Sequence, residues 1–325
     1  MNVLIADTFE PSGLADLQKT GCAVTYEPQL DAEGLLDFIA DRDVDVLVVR
    51  SKRVTKPIIE AARNLKLIVR AGSGYDTIDV AAATEHGIAV SNCPGQNSVA
   101  VAELTVGMMI ALDRRIVDNT DDLRRGVWNK KEYSKARGLK GRTLGIVGMG
   151  RIGFEVAKRA AAFDMRIIYT DVVHHAEAER LFGARHMNLE QVLTQSDFVT
   201  VHVPGGPGTH HMIGARQLAM MKPTAFLINC SRGGIVDESA LAHALQANHL
   251  GGAALDVFEI EPTAGEHDFR DPIPRAPHVY GTHHIGASTD QAQSAVAAET
   301  VRIIHTFATE HRVLNWVNPV TPAMA

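Results

Sequence analysis

The stretch Thr143–Asp171, TLGIVGMGRIGFEVAKRAAAFDMRIIYTD, constrains the fold more than any other part of the chain. TLGIV reads as a strand, GMGRIG as a tight turn, RIGFEVAKRAAAF as an amphipathic helix and RIIYT as a second strand. Gly148, Gly150 and Gly153 stand in G-x-G-x-x-G spacing, and Asp171 follows Gly153 by eighteen residues. In such a unit the first glycine permits the turn and the second lets backbone approach a pyrophosphate. The third lets helix and strand pack closely. The helix start, at Arg151 and Ile152, turns its free amides toward negative charge. An acid ending the second strand accepts ribose hydroxyls and repels a 2′-phosphate. After Asp171 no Arg occurs before Arg180. The unit predicts a dinucleotide site that selects NAD over NADP.

The rest of the chain repeats this alternation. NVLIAD, DVLVVR, LKLIVR and IAV are strand-like, separated by the helical stretches EGLLDFIADR, KPIIEAARN and VAAATEHG. Later come DFVTVHV, TAFLINC, GGAALDVF and HVYGT. Nearly continuous apolar strands between helices imply parallel sheets covered on both faces, so the fold class is α/β with two doubly wound, Rossmann-like sheets. Two long helical stretches, SVAVAELTVGMMIALDRR and STDQAQSAVAAETVRIIHTFATE, carry the chain out of the first unit and back. Ser288 is the expected N-cap of the second. The predicted domains are 1–97 plus 288–325, which binds substrate, and 98–287, which binds the dinucleotide, with a cleft between them. The helix from Ser98 is apolar on more than one face (Val99, Val101, Leu104, Val106, Met108, Met109, Ile110), which predicts a homodimer built on the dinucleotide domain.

Composition excludes other classes. A formal charge of −6 offers no basic field for nucleic acid or an anionic membrane. No apolar run approaches the ~18 residues of a membrane span, and the N-terminus lacks signal-peptide character. Three scattered cysteines form no disulfide framework and no CxxC site, which suits a reducing cytoplasm. Fifteen histidines include adjacent pairs but no HExxH, so no metal is expected.

Ligands of parallel sheets lie beyond the carboxyl ends of the strands. There the second half places His202, Pro204 and Thr209, then Asn229, Cys230, Ser231 and Arg232, then Asp256, Glu259 and Glu261, and finally His283, His284 and Gly286. An Arg, a Glu and a His thus end three successive strands. Hydride transfer at a 2-hydroxy acid needs a bidentate carboxylate clamp, which Arg provides best. It also needs an acid–base group that titrates near neutrality, the usual task of His. A carboxylate beside that His favours its charged form and fixes its tautomer.

With these residues in place, the chain resembles the D-isomer-specific 2-hydroxyacid dehydrogenase family over nearly its whole length. The resemblance runs from VRSKRVT through RAGSGYDTIDVAAATEHGIAVSNCPGQNSVAVAELTVG to HHIGASTDQAQ. It implies that Arg232 clamps substrate, Glu261 polarises the histidine and His284 is the acid–base. It implies that Asp256 holds the nicotinamide carboxamide, and that backbone at Ser73 and Gly74 meets the substrate carboxylate. By the same resemblance Gly148, Gly150, Arg151, Ile152, Gly153, Asp171, His202, Pro204, Thr209, Cys230, Ser231, Asp256 and Gly286 line the NAD site. Two departures stand out. His283 replaces the family's usual proline, and VPGGPGTHHMI lacks the Leu-Thr that usually follows its first Pro.

Arg50, Ser51, Lys52, Asn97, Trp128 and Lys130 are similar to the substrate-side residues of members acting on 3-phospho-D-glycerate. Cations there suit a phosphate. The sequence closes soon after VLNWVNPV, so no regulatory small-molecule domain is expected. Two alternatives stay open: a glyoxylate or hydroxypyruvate reductase, and a non-catalytic NAD-sensing binding protein on the same fold.

Overall fold

A computed structural model of the chain describes residues 1–262 and 268–318. Pro319 and Val320, which close the VLNWVNPV stretch, lie outside the described residues. The chain divides into two units, Met1–Asn97 with Ser288–Ala325, and Ser98–Ala287.

The first unit holds strands β1 (Asn2–Ile5), β2 (Ala23–Tyr26), β3 (Val46–Val49), β4 (Leu67–Arg70) and β5 (Ala89–Asn92). They form one parallel sheet in the order β2-β1-β3-β4-β5. Successive side chains serve opposite faces, as strand geometry requires. Leu4, Leu47 and Val49 pack with Leu35, Ile39 and Ile59 on one side. Val3, Ile5, Val46 and Val48 pack on the other with Leu17, Ile303 and Ile304. The last two belong to the helix Asp290–Glu310, so a late segment completes an early core. Each such fully buried side chain contributes about 1.5–3 kcal/mol of transfer free energy.

The second unit holds β6 (Thr143–Val147), β7 (Arg166–Thr170), β8 (Arg185–His186), β9 (Phe198–Val201), β10 (Phe226–Asn229), β11 (Gly252–Leu255) and β12 (Val279–Gly281). Its parallel sheet runs β12-β11-β10-β9-β6-β7-β8. Strand order reverses direction between β6 and β9. A crevice therefore opens beyond the carboxyl ends of these two neighbours, because their connections leave on opposite faces. Helices Ser98–Arg114 and Arg151–Ala162 cover one face over Leu144, Ile146 and Tyr169. Helices Leu189–Gln195 and Glu238–Gln246 cover the other over Val147, Val199 and Leu227.

Three expectations need correction. β2 has no counterpart in the sequence reading, since its residues are half-exposed at the sheet edge and carry no clear apolar alternation. The last long helix is capped by Thr289, whose Oγ1 accepts Ala292 N at 3.2 Å, rather than by Ser288. On the helix from Ser98, Val101, Met108 and Met109 are buried within the unit's own core, Val106 is also buried, and Val99 is the exposed residue of the set. The exposed apolar surface lies further on, at Ile116, Val117, Leu123, Val127 and Trp128. No helix among the described residues is long and apolar enough to cross a membrane.

Candidate active site

The glycine turn leaves β6 at the strand-order reversal. Gly148 adopts φ 96°, a conformation that disfavours any side chain, and a Cβ there would come within 2.8 Å of the His202 carbonyl. A Cβ on Gly153 would collide with the Gly148 carbonyl, so the helix Arg151–Ala162 sits directly on the turn. Gly150 is that helix's N-cap and supplies no side-chain cap, and nothing stands within 4 Å of where its Cβ would be. Uncapped amides over open space are what a pyrophosphate requires, so these residues fit a dinucleotide. Arg151 is exposed, while Ile152 packs against the core.

Asp171 directly follows β7. Its Oδ2 accepts Met149 N at 2.7 Å, which ties the acid to the glycine turn, and among the described residues its Oδ1 meets only Val173 N, at 3.4 Å. One oxygen is thus left weakly engaged for a ribose hydroxyl. The sequence reading missed the histidines beside it. His186 Nε2 meets the Asp171 carbonyl at 3.0 Å, and the His174 ring lies 4.0 Å from that of His186.

Beyond β9, Thr209 Oγ1 donates to the Pro204 carbonyl at 2.7 Å and closes the loop. Burial drives the His202 pKa down to about 3, so its ring is neutral, with Nε2 2.9 Å from Thr200 Oγ1. Cys230 joins the core, its Sγ 3.6 Å from Met108 Sδ, and burial pushes its thiol up to about 12. Its side chain thus packs within the core. Ser231 Oγ donates to the Val203 carbonyl, stitching the β9 and β10 loops together. A cavity of about 480 Å³ opens beside them, lined by Gly205, Gly206, Pro207, His210, Gly233, Gly234 and Ile235.

The three candidate catalytic side chains share this end of the sheet. Arg232 is half-buried, its carbonyl held by Asn229 Nδ2 at 2.9 Å and its guanidinium donating to the Ser231 carbonyl at 2.7 Å. Glu261 Oε2 lies 2.8 Å from His284 Nδ1, and its Oε1 accepts Phe258 N at 3.1 Å. Burial opposes the Glu261 charge, but His284, the Phe258 amide and Arg232 outweigh it and hold the carboxyl below its ordinary range. His284 has φ 51°, a left-handed backbone conformation. The cause is Asp256, which is buried. Its Oδ1 accepts Thr282 Oγ1 at 2.6 Å and Ile285 N at 2.8 Å, and its Oδ2 accepts Gly286 N at 2.8 Å. Asp256 therefore shapes the histidine loop, a task the sequence reading did not assign to it.

In the first unit Asp7 does similar work. Its Oδ2 accepts the amides of Arg50, Ser51 and Lys52 at 2.9, 2.8 and 2.9 Å. Burial opposes its charge, but these three donors and Lys52 hold its carboxyl below the ordinary range. Lys52 Nζ is itself bound to the Pro28 carbonyl at 2.7 Å. Ser73 Oγ donates to Asn97 Oδ1 at 2.6 Å, and Gly74 follows in the same loop. Lys130 belongs to the second unit, exposed on the short helix Lys130–Tyr133. His211, Asp237 and Glu259 bring potential metal-ligand atoms within 4.8 Å of one another. His211 turns Nε2 to Glu259 and Nδ1 to Asp237, at 3.0 and 3.8 Å. The imidazole thus stands between two carboxylates, one at each ring nitrogen.

Comparison with known proteins agrees with this geometry. Residues 106–286 match the D-isomer specific 2-hydroxyacid dehydrogenase, NAD binding domain. The chain is 42% identical to the D-3-phosphoglycerate dehydrogenase of Methanocaldococcus jannaschii over 98% of its own length and 60% of that protein's. It is 43% identical to the hydroxypyruvate reductase of Thermotoga maritima, over 89% of this chain and 92% of that one. Its fold matches D-lactate dehydrogenase from Aquifex aeolicus, complexed with NAD and lactic acid, with TM-score 0.85 and 26% identity over 99% of this chain and all of the other. The chain thus spans about 60% of the first relative's length. By sequence match, fold and site residues together, the chain belongs to the D-isomer specific 2-hydroxyacid dehydrogenase family.

Proposed function

We propose that the protein transfers a hydride between NAD(H) and a D-2-hydroxy acid or its 2-keto partner. The observation that carries this is the Glu261–His284 contact at 2.8 Å, set on the same sheet end as Arg232. When bound, NADH supplies the hydride. Arg232 grips the substrate carboxylate with its fork. Glu261 holds His284 at Nδ1, which leaves Nε2 to give a proton to the carbonyl oxygen in reduction and take it back in oxidation. Asp171 supports NAD over NADP. A sensor that only binds nucleotide needs no such acid–base pair.

For the substrate, Arg50, Ser51, Ser73, Gly74, Asn97 and Lys130 are the proposed contacts, and the cations favour 3-phosphohydroxypyruvate and 3-phospho-D-glycerate, in a serine-biosynthetic reaction. A second reading, a reductase of glyoxylate or hydroxypyruvate, is favoured by Lys52, whose ammonium is already tied to Pro28. The likeness to a hydroxypyruvate reductase points the same way. NADH and NADPH oxidation across a panel of 2-keto acids decides. Phosphohydroxypyruvate should be reduced with NADH at least about tenfold more efficiently than glyoxylate. A preference for glyoxylate establishes the second reading, and a preference for NADPH removes the ribose role of Asp171.

We also propose a homodimer through the NAD-binding unit, in a reducing cytoplasm where Cys22, Cys93 and Cys230 stay free. Ile116, Val117, Leu123, Val127 and Trp128 support it, since Trp128 is 80% exposed and its neighbours 44–52%. Sedimentation at micromolar concentration should show about twice the 35.1 kDa chain mass. A monomer there removes the dimer.

A further inference from the structure

Glu238 touches none of Arg232, Glu261 and His284, yet it is joined to the segment that carries Glu261. It is the first residue of the helix Glu238–Gln246 and is only 7% exposed. Glu259 N donates to Glu238 Oε1 at 2.8 Å, and Glu238 N donates to Glu259 Oε1 at 3.1 Å, so each side chain accepts the other's amide. The Phe258–Glu259 peptide inside this clamp meets one half of the candidate active site, and the adjoining Phe258 amide meets the other. Phe258 N donates to Glu261 Oε1. Gly233, next to Arg232, lies so close to the same peptide that a Cβ would overlap the Phe258 carbonyl.

We propose that Glu238 is a positioning residue, which sets the Arg232 loop and the Glu261–His284 pair in register by holding the Phe258–Glu259 peptide between them. The inference rests on the proposed function, in which those three side chains carry the chemistry. An ordinary structural acid would not need burial at this point. Burial, with Asp271 beside it, pushes the Glu238 carboxyl up to about 8. The neutral acid suits the clamp: one oxygen accepts the Glu259 amide, and a proton on the other, which is buried, would face the Asp271 carboxylate. Among the described residues the charged groups around it are Glu259 and Asp271 from other elements and Asp237 on its own. His211 lies behind them, against Glu259 and Asp237. Above pH 8 Glu238 would add a buried negative charge beside Glu259 and Asp271, and their repulsion would loosen the peptide. The folded-state pKa lies above the ordinary 4.5. Stability from this group is therefore complete below that value and is lost as pH rises toward 8.

The full chain is assayed for keto-acid reduction and NADH binding as wild type, E238A, E238Q and G233A. E238A should lower kcat about tenfold while NADH affinity stays within about twofold, and E238Q should recover kcat to within about threefold of wild type near neutrality. As pH rises through about 8, E238Q should overtake wild type, because the amide keeps the acceptor and cannot ionise. G233A, which displaces the same peptide from the Arg232 side, should lower kcat/KM at least as far as E238A. Should E238A fail to fold, the E238Q to wild-type activity ratio decides alone, and a ratio constant from about pH 6 to about pH 9.5 overturns the proposal. So do E238A at wild-type kcat and a folded E238Q that rescues nothing. Wild-type turnover in those cases leaves the proposed function standing. A wild type inactive on every keto acid sinks both.

Discussion

His284→Asn should lower kcat for keto-acid reduction by about a thousandfold or more, the scale of losing a general acid, while NADH still binds. His283→Asn or His283→Pro should keep most of the activity. The two imidazoles are neighbours, but their surroundings differ. His284 is held at Nδ1 by a carboxylate that stays ionised, because His284, Arg232 and the Phe258 amide outweigh its burial. Asp256 fixes the turn that presents the ring, by accepting the amides of both following residues. His283 is exposed, and among the described residues no side-chain hydrogen bond or ion pair involves it. An Asn at 284 could still bond to Glu261 but has no nitrogen that titrates near neutrality. Turnover and NADH fluorescence titration on the three variants check this. Inactive His283 variants beside an active His284→Asn would reverse the assignment.

Arg232→Lys should lower kcat/KM about tenfold or more, at least ~1.4 kcal/mol of transition-state binding, with NADH affinity little changed. Charge is conserved in this variant, so the loss measures the fork. The structure gives reason to expect the fork to matter, since the arginine is held on three sides. Asn229 binds its carbonyl, Ser231 its guanidinium, and Gly205 sits so close that a Cβ there would be 3.1 Å from its Cγ. A lysine ammonium in that place is one point of charge and cannot meet both carboxylate oxygens in a plane. Steady-state kinetics on the preferred keto acid is the measurement. Wild-type efficiency in the lysine variant would take Arg232 out of substrate recognition.

Most of the element order and the Gly148–Asp171 unit were legible in the sequence, because burial on a strand or helix leaves a local period and glycine turns need particular residues. So was the placement of Arg232, Glu261 and His284, since each follows a recognisable strand of one sheet. β2 escaped because a half-exposed edge strand buries too little to leave a pattern. Ser288 and Thr289 are both competent caps, and only the backbone decides which oxygen reaches Ala292 N.

What the sequence determined by itself is therefore the chain's periodic architecture and the chemical types available at the strand ends. Tertiary structure alone decided how those types are used. Asp7 lies more than forty residues before the amides of Arg50, Ser51 and Lys52 that it gathers. Asp256 lies about thirty residues before the histidine loop it shapes, and Glu238 twenty-one before Glu259. No local period records such pairings, because a carboxylate's partner is chosen by which loops the folded sheet brings together. The same sheet turned Cys230 from a strand-end candidate into core and gave His284 its left-handed backbone. Spacing along a chain reports which face is buried, whereas the partner of a buried polar group exists only once distant strands are paired.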